Sequence, residues 1–272
     1  MQQSTLSVIL RLHTTEGNAL QFLSNALLSL AGAIYAPIEV VVVTQQFSPV
    51  QIQKVEELIA RFVWKDFSCA RVVNYENPEK KDHRSALLNT GFDSAQGRYL
   101  AILDYDDFVY EHAYATLIEQ LGRSSAAVAF GGCLIAHSTR TVHGYKVVGK
   151  SNPWEKRSDD EFLRRNIYPS HTFVIDRERL GGRLPRFNEK LSREEDYDFL
   201  LRLRFETEFD TTCRGQVLFE YPIRDDGTNT TMTENEPETS ENRAAWTAAR
   251  ATWEPVRQLL KKHLENSKKE RQ

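Results

Sequence analysis

Cysteine is scarce in this 272-residue chain. Cys69, Cys133 and Cys213 are odd in number, far apart and free of Cys-x-x-Cys spacing. That excludes a disulfide frame and a zinc ribbon, and it reads as three buried, reduced thiols. Long apolar runs are also missing: none approaches the ~20 residues that span a bilayer. Met1 to Ser7 lacks the basic and apolar segments of a secretory signal, so the expected location is cytoplasmic. No charge of one sign dominates. Lys and Arg number 35 against 38 Asp and Glu, for a net charge of −3, which argues against a nucleic-acid partner. Internal repeats and low-complexity domains are absent. What remains is an ordinary composition, 40% hydrophobic, enough for one large core with a short appendage.

The apolar runs come in a regular order. Ser7–Leu12, Ile38–Val43, Arg71–Asn74 and Tyr99–Leu103 read as strands. Between them lie three helical stretches. The first carries Leu20, Leu23, Leu27 and Leu30 and ends at Gly32. The second follows the Ser48-Pro49 start with Ile52, Val55 and Ile59, and the third carries Leu88, Gly91, Phe92 and Ala95. Strands alternating with helices predict a parallel sheet. The uniformly apolar Ile38–Val43 run predicts that the sheet is covered on both faces. The second half is more mixed. Ala126–Ala136, Thr141–Val148, His171–Ile175 and Val217–Tyr221 are strand candidates, and Ser158 with Glu161 forms a capping box. Glu194–Phe205 is a helix, Asp225–Glu238 a polar loop, and Arg243–Leu264 a helix interrupted or kinked at Pro255, with a frayed tail from Lys261.

The sharpest chemical signal is Asp104-Tyr105-Asp106-Asp107, which follows the Tyr99–Leu103 strand directly. Ligands on such sheets bind at the carboxyl ends of the strands. Three carboxylates within four residues repel one another unless cations or donors meet them. Hard divalent ions take such oxygens and share them with substrate phosphates. Taken alone, the cluster is as easily an acidic turn before the next helix. Its context decides: Asn89-Thr90-Gly91 and Ala95-Gln96-Gly97 precede the strand that ends in the aspartates.

That combined pattern resembles the family 2 inverting glycosyltransferases of the GT-A fold, over roughly the first 230 residues. The resemblance implies an α/β fold with a central, mainly parallel sheet flanked by helices and a C-terminal helical extension. It implies domains at 1–232 (a nucleotide-sugar-binding half, 1–110, and an acceptor-side half, 111–232), followed by 233–272. It also implies a hexosyltransferase-type enzyme that uses Mn2+ or Mg2+, a nucleotide-diphosphate sugar donor and a carbohydrate or lipid-linked acceptor. The setting would be polysaccharide, glycolipid or glycoconjugate assembly.

Residue roles follow by position. Asp104 would contact ribose or metal, Asp106 would ligate the metal and Asp107 would support it, with Tyr105 among the donor-binding residues. Thr14 or Thr15, after the first strand, would contact the nucleotide. The segment Glu194-Glu195-Asp196-Tyr197-Asp198 looks like the family's ED motif, with Asp196 as catalytic base and Glu195 as second choice. Inverting transfer needs such a carboxylate to take the acceptor's proton; the plain alternative is an acidic first turn favoured by the helix dipole. Arg84 is a phosphate or base contact or a solvated helix-start arginine. His171 faces the acceptor or is a strand-end histidine satisfied by backbone. Tyr221-Pro222-Ile223-Arg224-Asp225-Asp226-Gly227-Thr228-Asn229-Thr230 resembles the late loop that closes on the diphosphate. Arg224 would touch phosphate there, and Asp226, where histidine is usual, would be an oxygen ligand.

One departure concerns the nucleotide. The family's Asp-Asp-Gly-Ser run is replaced by Thr44-Gln45-Gln46-Phe47-Ser48, so Thr44 or Gln45 would have to meet the base and uridine is not implied. Trp246 and Trp253, seven apart, share a helix face. They anchor the extension by packing or, with Lys261, Lys262, Lys268 and Lys269, contact the inner face of a membrane or a partner. Two rivals remain. A nucleotidyltransferase would want a basic glycine-rich loop where His13-Thr14-Thr15-Glu16-Gly17-Asn18 stands, and a non-catalytic nucleotide-binding scaffold would not turn over sugar nucleotides.

Overall fold

The strands and helices of the first half alternate as the apolar runs require. In the computed structural model the described residues are 4–77, 79, 83–142, 144–155, 157–226 and 240–270. The first elements are β1 (Leu6–Leu12), α1 (Ala19–Ala31), β2 (Ile38–Gln45), α2 (Pro49–Ile59), β3 (Cys69–Tyr75), α3 (Arg84–Ser94), β4 (Tyr99–Asp104) and β5 (Phe108–Val109). Then come α4 (Ala113–Arg123), β6 (Val128–Phe130), β7 (Gly132–Thr141), β8 (Gly144–Ser151), α5 (Asp159–Phe162), β9 (Phe173–Asp176) and α6 (Arg177–Leu180). The chain closes with α7 (Glu195–Glu206), β10 (Phe209–Asp210), a 3-10 turn (Thr212–Gly215), β11 (Val217–Arg224) and α8 (Ser240–Glu270).

Seven strands form the main sheet in the order β10-β6-β9-β4-β1-β2-β3. The β3-β2-β1-β4 half is parallel. β9 runs antiparallel to both β4 and β6, so the sheet is mixed beyond the aspartate strand. Side chains alternate across it. Leu10, Val42 and Leu103 face a layer with Leu23, Leu27, Val55 and Leu117 of α1, α2 and α4. Ile9, Val41 and Ile102 face Leu88, Phe92, Phe199, Leu200 and Trp253 of α3, α7 and α8. This double cover is what the apolar β2 predicted.

The sequence motif ahead of the aspartates has structural reasons. Asn89 is buried, and its amide donates to the Phe187 carbonyl (3.0 Å) and to Glu189 (2.8 Å) while accepting from the Phe187 N–H (2.8 Å). It ties α3 to the segment leading into α7. Gly91 lets α3 lie directly on β1: a Cβ there would sit 2.3 Å from Ile9 Cγ2.

Four expectations are corrected. The 126–136 run is two strands in different sheets. The chain leaves the main sheet after Phe130 and enters a second sheet, ordered β5-β11-β7-β8, at Gly132. Any side chain at Gly132 would strike the Gln216 and Arg214 carbonyls (2.4 and 2.5 Å). The 141–148 strand is instead the end of β7, a turn and β8. α8 continues through Pro255, one of the two outcomes expected there, and runs on to Glu270, where a frayed tail was expected. Cys69 is exposed, whereas Cys133 and Cys213 are buried. Trp253 is buried in the core, as packing requires. Residues 227–230 of the late loop and the Lys268 side chain lie outside the described residues. Among the described residues no helix is long and apolar enough to cross a membrane.

Replacing Gly91 with Ala forces α3 away from Ile9. Overpacking of this kind costs about 1–3 kcal/mol. The urea midpoint of G91A is therefore expected to fall with an unchanged m-value; an unchanged midpoint would show that the contact yields freely.

Candidate active site

Arg11 and Asp104 are register partners in the adjacent parallel strands β1 and β4. Alternation puts both on the face shared with Ile9 and Ile102, under α3 and α7. The guanidinium grips the carboxylate with two bonds, Nε to Oδ1 at 2.6 Å and Nη2 to Oδ2 at 2.7 Å. Its third nitrogen, Nη1, donates to Glu195 at 3.2 Å. Arg84, the first residue of α3, approaches the same Glu195 oxygen at 3.9 Å. Burial opposes charge on Asp104, but Arg11 outweighs it, with smaller help from His171 and Arg84, and holds the carboxyl below its usual range. Burial likewise opposes charge on Arg11, and Asp104 and Glu195 together overcome it.

The start of α7 is set by an unusual turn. Glu194, its N-cap, has φ 53° and ψ 26°, the left-handed region. A non-glycine residue there costs roughly 1–3 kcal/mol unless its surroundings hold it. The Glu194 carboxylate accepts from the Trp253 indole N–H of α8 at 2.7 Å. Two residues on, Asp196 accepts from the Asn166 amide and from the Tyr197 N–H, both at 2.8 Å. Burial first, and the neighbouring Glu195 charge second, raise the Asp196 carboxyl to about 7.

The other two aspartates have their own cations. Asp106 accepts from Arg224, at the end of β11, and the Arg224 guanidinium lies 4.6 Å above the Phe22 ring. Asp107 is buried against His171, Nδ1 to Oδ2 at 2.9 Å, and the far imidazole nitrogen lies 3.5 Å from the Cys133 thiol. Burial raises the Asp107 acid to about 6. On His171 burial acts downward, but Asp107 outweighs it and lifts the imidazole well above its ordinary value. The contact favours an imidazolium against a carboxylate. His171 is thus satisfied by side chains rather than by backbone.

These groups converge on a cleft of about 370 Å³. Arg11, Arg84, Asp104, Asp107, Glu195 and Asp196 line it, and Glu194 and His171 also reach it. Trp154, Tyr168, Tyr221 and Trp246 supply aromatic wall. Asp106, Arg224 and Asp226 are not part of this lining. Asp226 accepts from the Tyr145 hydroxyl at 2.5 Å and faces Arg140 at 3.9 Å. Thr14 and Thr15, after β1, are partly buried; Thr14 accepts from the Glu16 N–H (3.1 Å) and Thr15 from the Gln51 amide (3.3 Å). Thr44 is fully buried and donates to Asn74 at 2.8 Å, which removes it from contact with a base. Tyr105 packs edge-on to His13 at 5.5 Å. Burial, and then Asp106, raise its hydroxyl to about 12.

The aspartates suit a hard divalent ion in donor chemistry, and Asp107 Oδ1 is buried without a hydrogen-bond partner. Each of the three carboxylates nonetheless faces a resident cation. Among the described residues no three His, Cys, Asp or Glu side chains converge as a metal group. A metal would therefore compete with Arg224 for Asp106. Sequence reasoning missed Arg11, Asn166, Trp154 and the indole contact of Trp253. Arg11 had a signal: a lone charge one residue from the end of an otherwise apolar strand.

A profile described as Glycosyl transferase family 2 matches residues 16–183, well over half of the chain. No curated protein matches it in sequence. Among solved structures, TarS 1–349 of S. aureus superposes with a TM-score of 0.58 at 17% identity, covering 80% of this chain and 60% of that one. The same fragment in complex with UDP-GlcNAc gives 0.59 at 16%, covering 81% and 59%. TarS itself gives 0.56 at 18%, covering 80% and 37%. The chain thus spans about three fifths of the TarS fragment, and the likeness shows the fold, the expected GT-A sheet with its C-terminal helix.

The raised Asp196 carboxyl has a consequence for stability. Its folded pKa near 7 stands above the unfolded value of ~3.9, so the cost of burying its charge is absent below about pH 4 and complete above about pH 7. Relative to Asp196→Asn, the wild type should lose melting temperature between pH 5 and pH 8, by roughly 2 °C or more. A gap that does not change with pH would mean that Asp196 ionises normally.

Proposed function

The chain belongs to glycosyl transferase family 2, and we propose that it moves a sugar from a nucleoside-diphosphate donor to an acceptor hydroxyl with inversion at the anomeric carbon. One observation carries this reading. The aspartate tip and the ED motif, far apart in sequence, meet in one cleft on a single guanidinium, Arg11. Donor-holding and proton-accepting groups are thereby brought within one substrate's reach.

In the step proposed, the acceptor oxygen forms a bond to the anomeric carbon and its proton passes to Asp196. The bond from that carbon to the phosphate oxygen breaks, and the electron pair leaves with the nucleoside diphosphate. Asp196 suits the base role better than Glu195: it lines the cleft with a carboxyl near 7, while Glu195 is engaged by Arg11 and Arg84. A base whose pKa lies near the working pH is the efficient one. Arg84 and Arg224 are the side chains proposed to meet the diphosphate, since guanidinium matches its oxygens. Asp106, with Asp104 and Asp107 beside it, would hold Mn2+ or Mg2+. A bound ion supplies positive charge against the departing diphosphate. Thr14 and Thr15, after β1, and Tyr105, after β4, are proposed to contact the donor.

A nucleotide-sugar donor is supported by the fold likeness to TarS, which was solved with UDP-GlcNAc and with UDP. Uridine itself is not implied, because Thr44-Gln45-Gln46-Phe47-Ser48 stands where the family has its Asp-Asp-Gly-Ser run. A carbohydrate acceptor is supported by Trp154 and Trp246, whose faces suit the C–H side of a sugar ring, beside Asn166 and Ser170. Assembly of a polysaccharide or glycoconjugate is the setting proposed.

Thermal shift with nucleoside diphosphates and their sugars, with and without Mn2+, identifies the donor, because native-state ligands raise apparent stability. With that donor, Asp196→Asn should lower turnover by about 10²–10⁴-fold and leave donor binding intact. The wild-type rate should rise as the pH passes about 7, where Asp196 becomes deprotonated. Undiminished turnover in D196N would remove the base assignment, and wild-type protein that neither binds nor cleaves any sugar nucleotide would leave only the scaffold reading.

A further inference from the structure

We propose that Trp253, on the C-terminal helix, is a positioning residue for the base: its indole N–H holds Glu194 in the left-handed turn from which Glu195 and Asp196 enter the cleft. The proposal rests on the reading of Asp196 given above and adds to it a role for a helix outside the matched family region, residues 16–183.

The contacts are specific. Trp253 is buried, and its Nε1 donates to Glu194 Oε2 at 2.7 Å. The same ring meets Tyr197, the residue after Asp196, edge-on at 5.0 Å. Tyr197 in turn donates its hydroxyl to the Phe162 carbonyl at 2.6 Å. One turn further along α8, Arg257 donates to the Leu163 carbonyl at 3.2 Å. α8 therefore holds both the start of α7 and the 162–163 segment. Three residues on from that segment, Asn166 donates to Asp196. Both supports of the base are fastened to one helix.

Geometry explains why the indole nitrogen matters beyond packing. The Glu194 backbone conformation is one that glutamate avoids. Its carbonyl accepts the Asp198 N–H at 3.0 Å, the first hydrogen bond of α7. A Glu194 that relaxed to an ordinary φ would turn that carbonyl away and swing the next two residues. The side chain that donates to its carboxylate, Trp253, comes from a distant helix. Asp196 is faced by Glu195, Glu194 and Arg11, and Glu194 by Arg250 as well, so loss of the turn rearranges every charge around the base.

Three full-length variants test this. Trp253→Phe keeps most of the ring and removes the N–H. Glu194→Ala removes the acceptor, and Glu194→Gln keeps one. Hydrogen–deuterium exchange needs no ligand: in W253F and E194A the peptide covering residues 194–200 is expected to exchange at least about tenfold faster than wild type. E194Q should stay within about threefold, and β1 and β4 should be unchanged in all three. With UDP-GlcNAc, UDP-glucose and GDP-mannose as probes, W253F and E194A should lose about tenfold in kcat with donor KM within about twofold. E194Q should retain more than half of kcat, with its acid limb moved to lower pH because the Glu194 charge no longer faces Asp196. Wild-type exchange over 194–200 in W253F, or wild-type kcat there, overturns the proposal. If the wild-type protein turns over none of the probes, the transferase reading fails, while the exchange result still decides whether Trp253 holds the turn.

Discussion

A single guanidinium organises this molecule's chemistry. Arg11 stands at the carboxyl end of β1, next to the central strand β4, and bonds at once to Asp104 and Glu195. Five carboxylates line its cleft, at residues 104, 107, 194, 195 and 196, and Asp106 lies just outside it. Buried together they would repel strongly. The fold tolerates them because cations come from separate elements: Arg11 from β1, Arg84 from α3, Arg224 from β11 and His171 from the approach to β9. Among the described residues Asp196 bonds to no cation and accepts from the Asn166 amide and the Tyr197 N–H, and burial lifts its carboxyl. Proton affinity is thus distributed by geometry. The carboxylates at 104, 106, 107 and 195 are met by cations, and the one at 196 is left desolvated.

Much of the parallel half was legible in the sequence because its information is local. Strand period and capping at Ser48 both act within a few residues of their cause. The Asn89-to-Gly97 pattern proved to be about packing: Asn89 ties α3 to Phe187, and Gly91 lets Ile9 approach. What stayed hidden were partners distant in sequence. Arg11 lies 184 residues from Glu195, and no local pattern records that they touch. The 126–136 run read as one strand because periodicity does not reveal a change of sheet; the carbonyls that force Gly132 come from residues 214 and 216. Thr44 looked available to a base until its cross-strand partner, Asn74, was known.

Family membership and the details of this chain answer different questions. The matched region, 16–183, includes the aspartate tip and stops before the second acidic motif, at 194–198. The superposition on TarS speaks for the sheet at under 20% identity. Neither says how the second acidic motif is held. That is a property of α7, α8 and the segment around Asn166, where Trp253, Tyr197 and Arg257 make contacts of their own.

The order in which these pieces leave the ribosome follows from where α8 lies in the chain. β1 to β4 emerge early and can pair with one another at once, since their register is mutual. The helix that covers α7 is translated after every other described element. Until it emerges, the nascent domain has its aspartate tip but lacks the indole that meets Glu194. Completion of the cleft is therefore tied to completion of the described chain, and a polypeptide released before Trp253 carries its acidic motifs without the helix that seats the second of them.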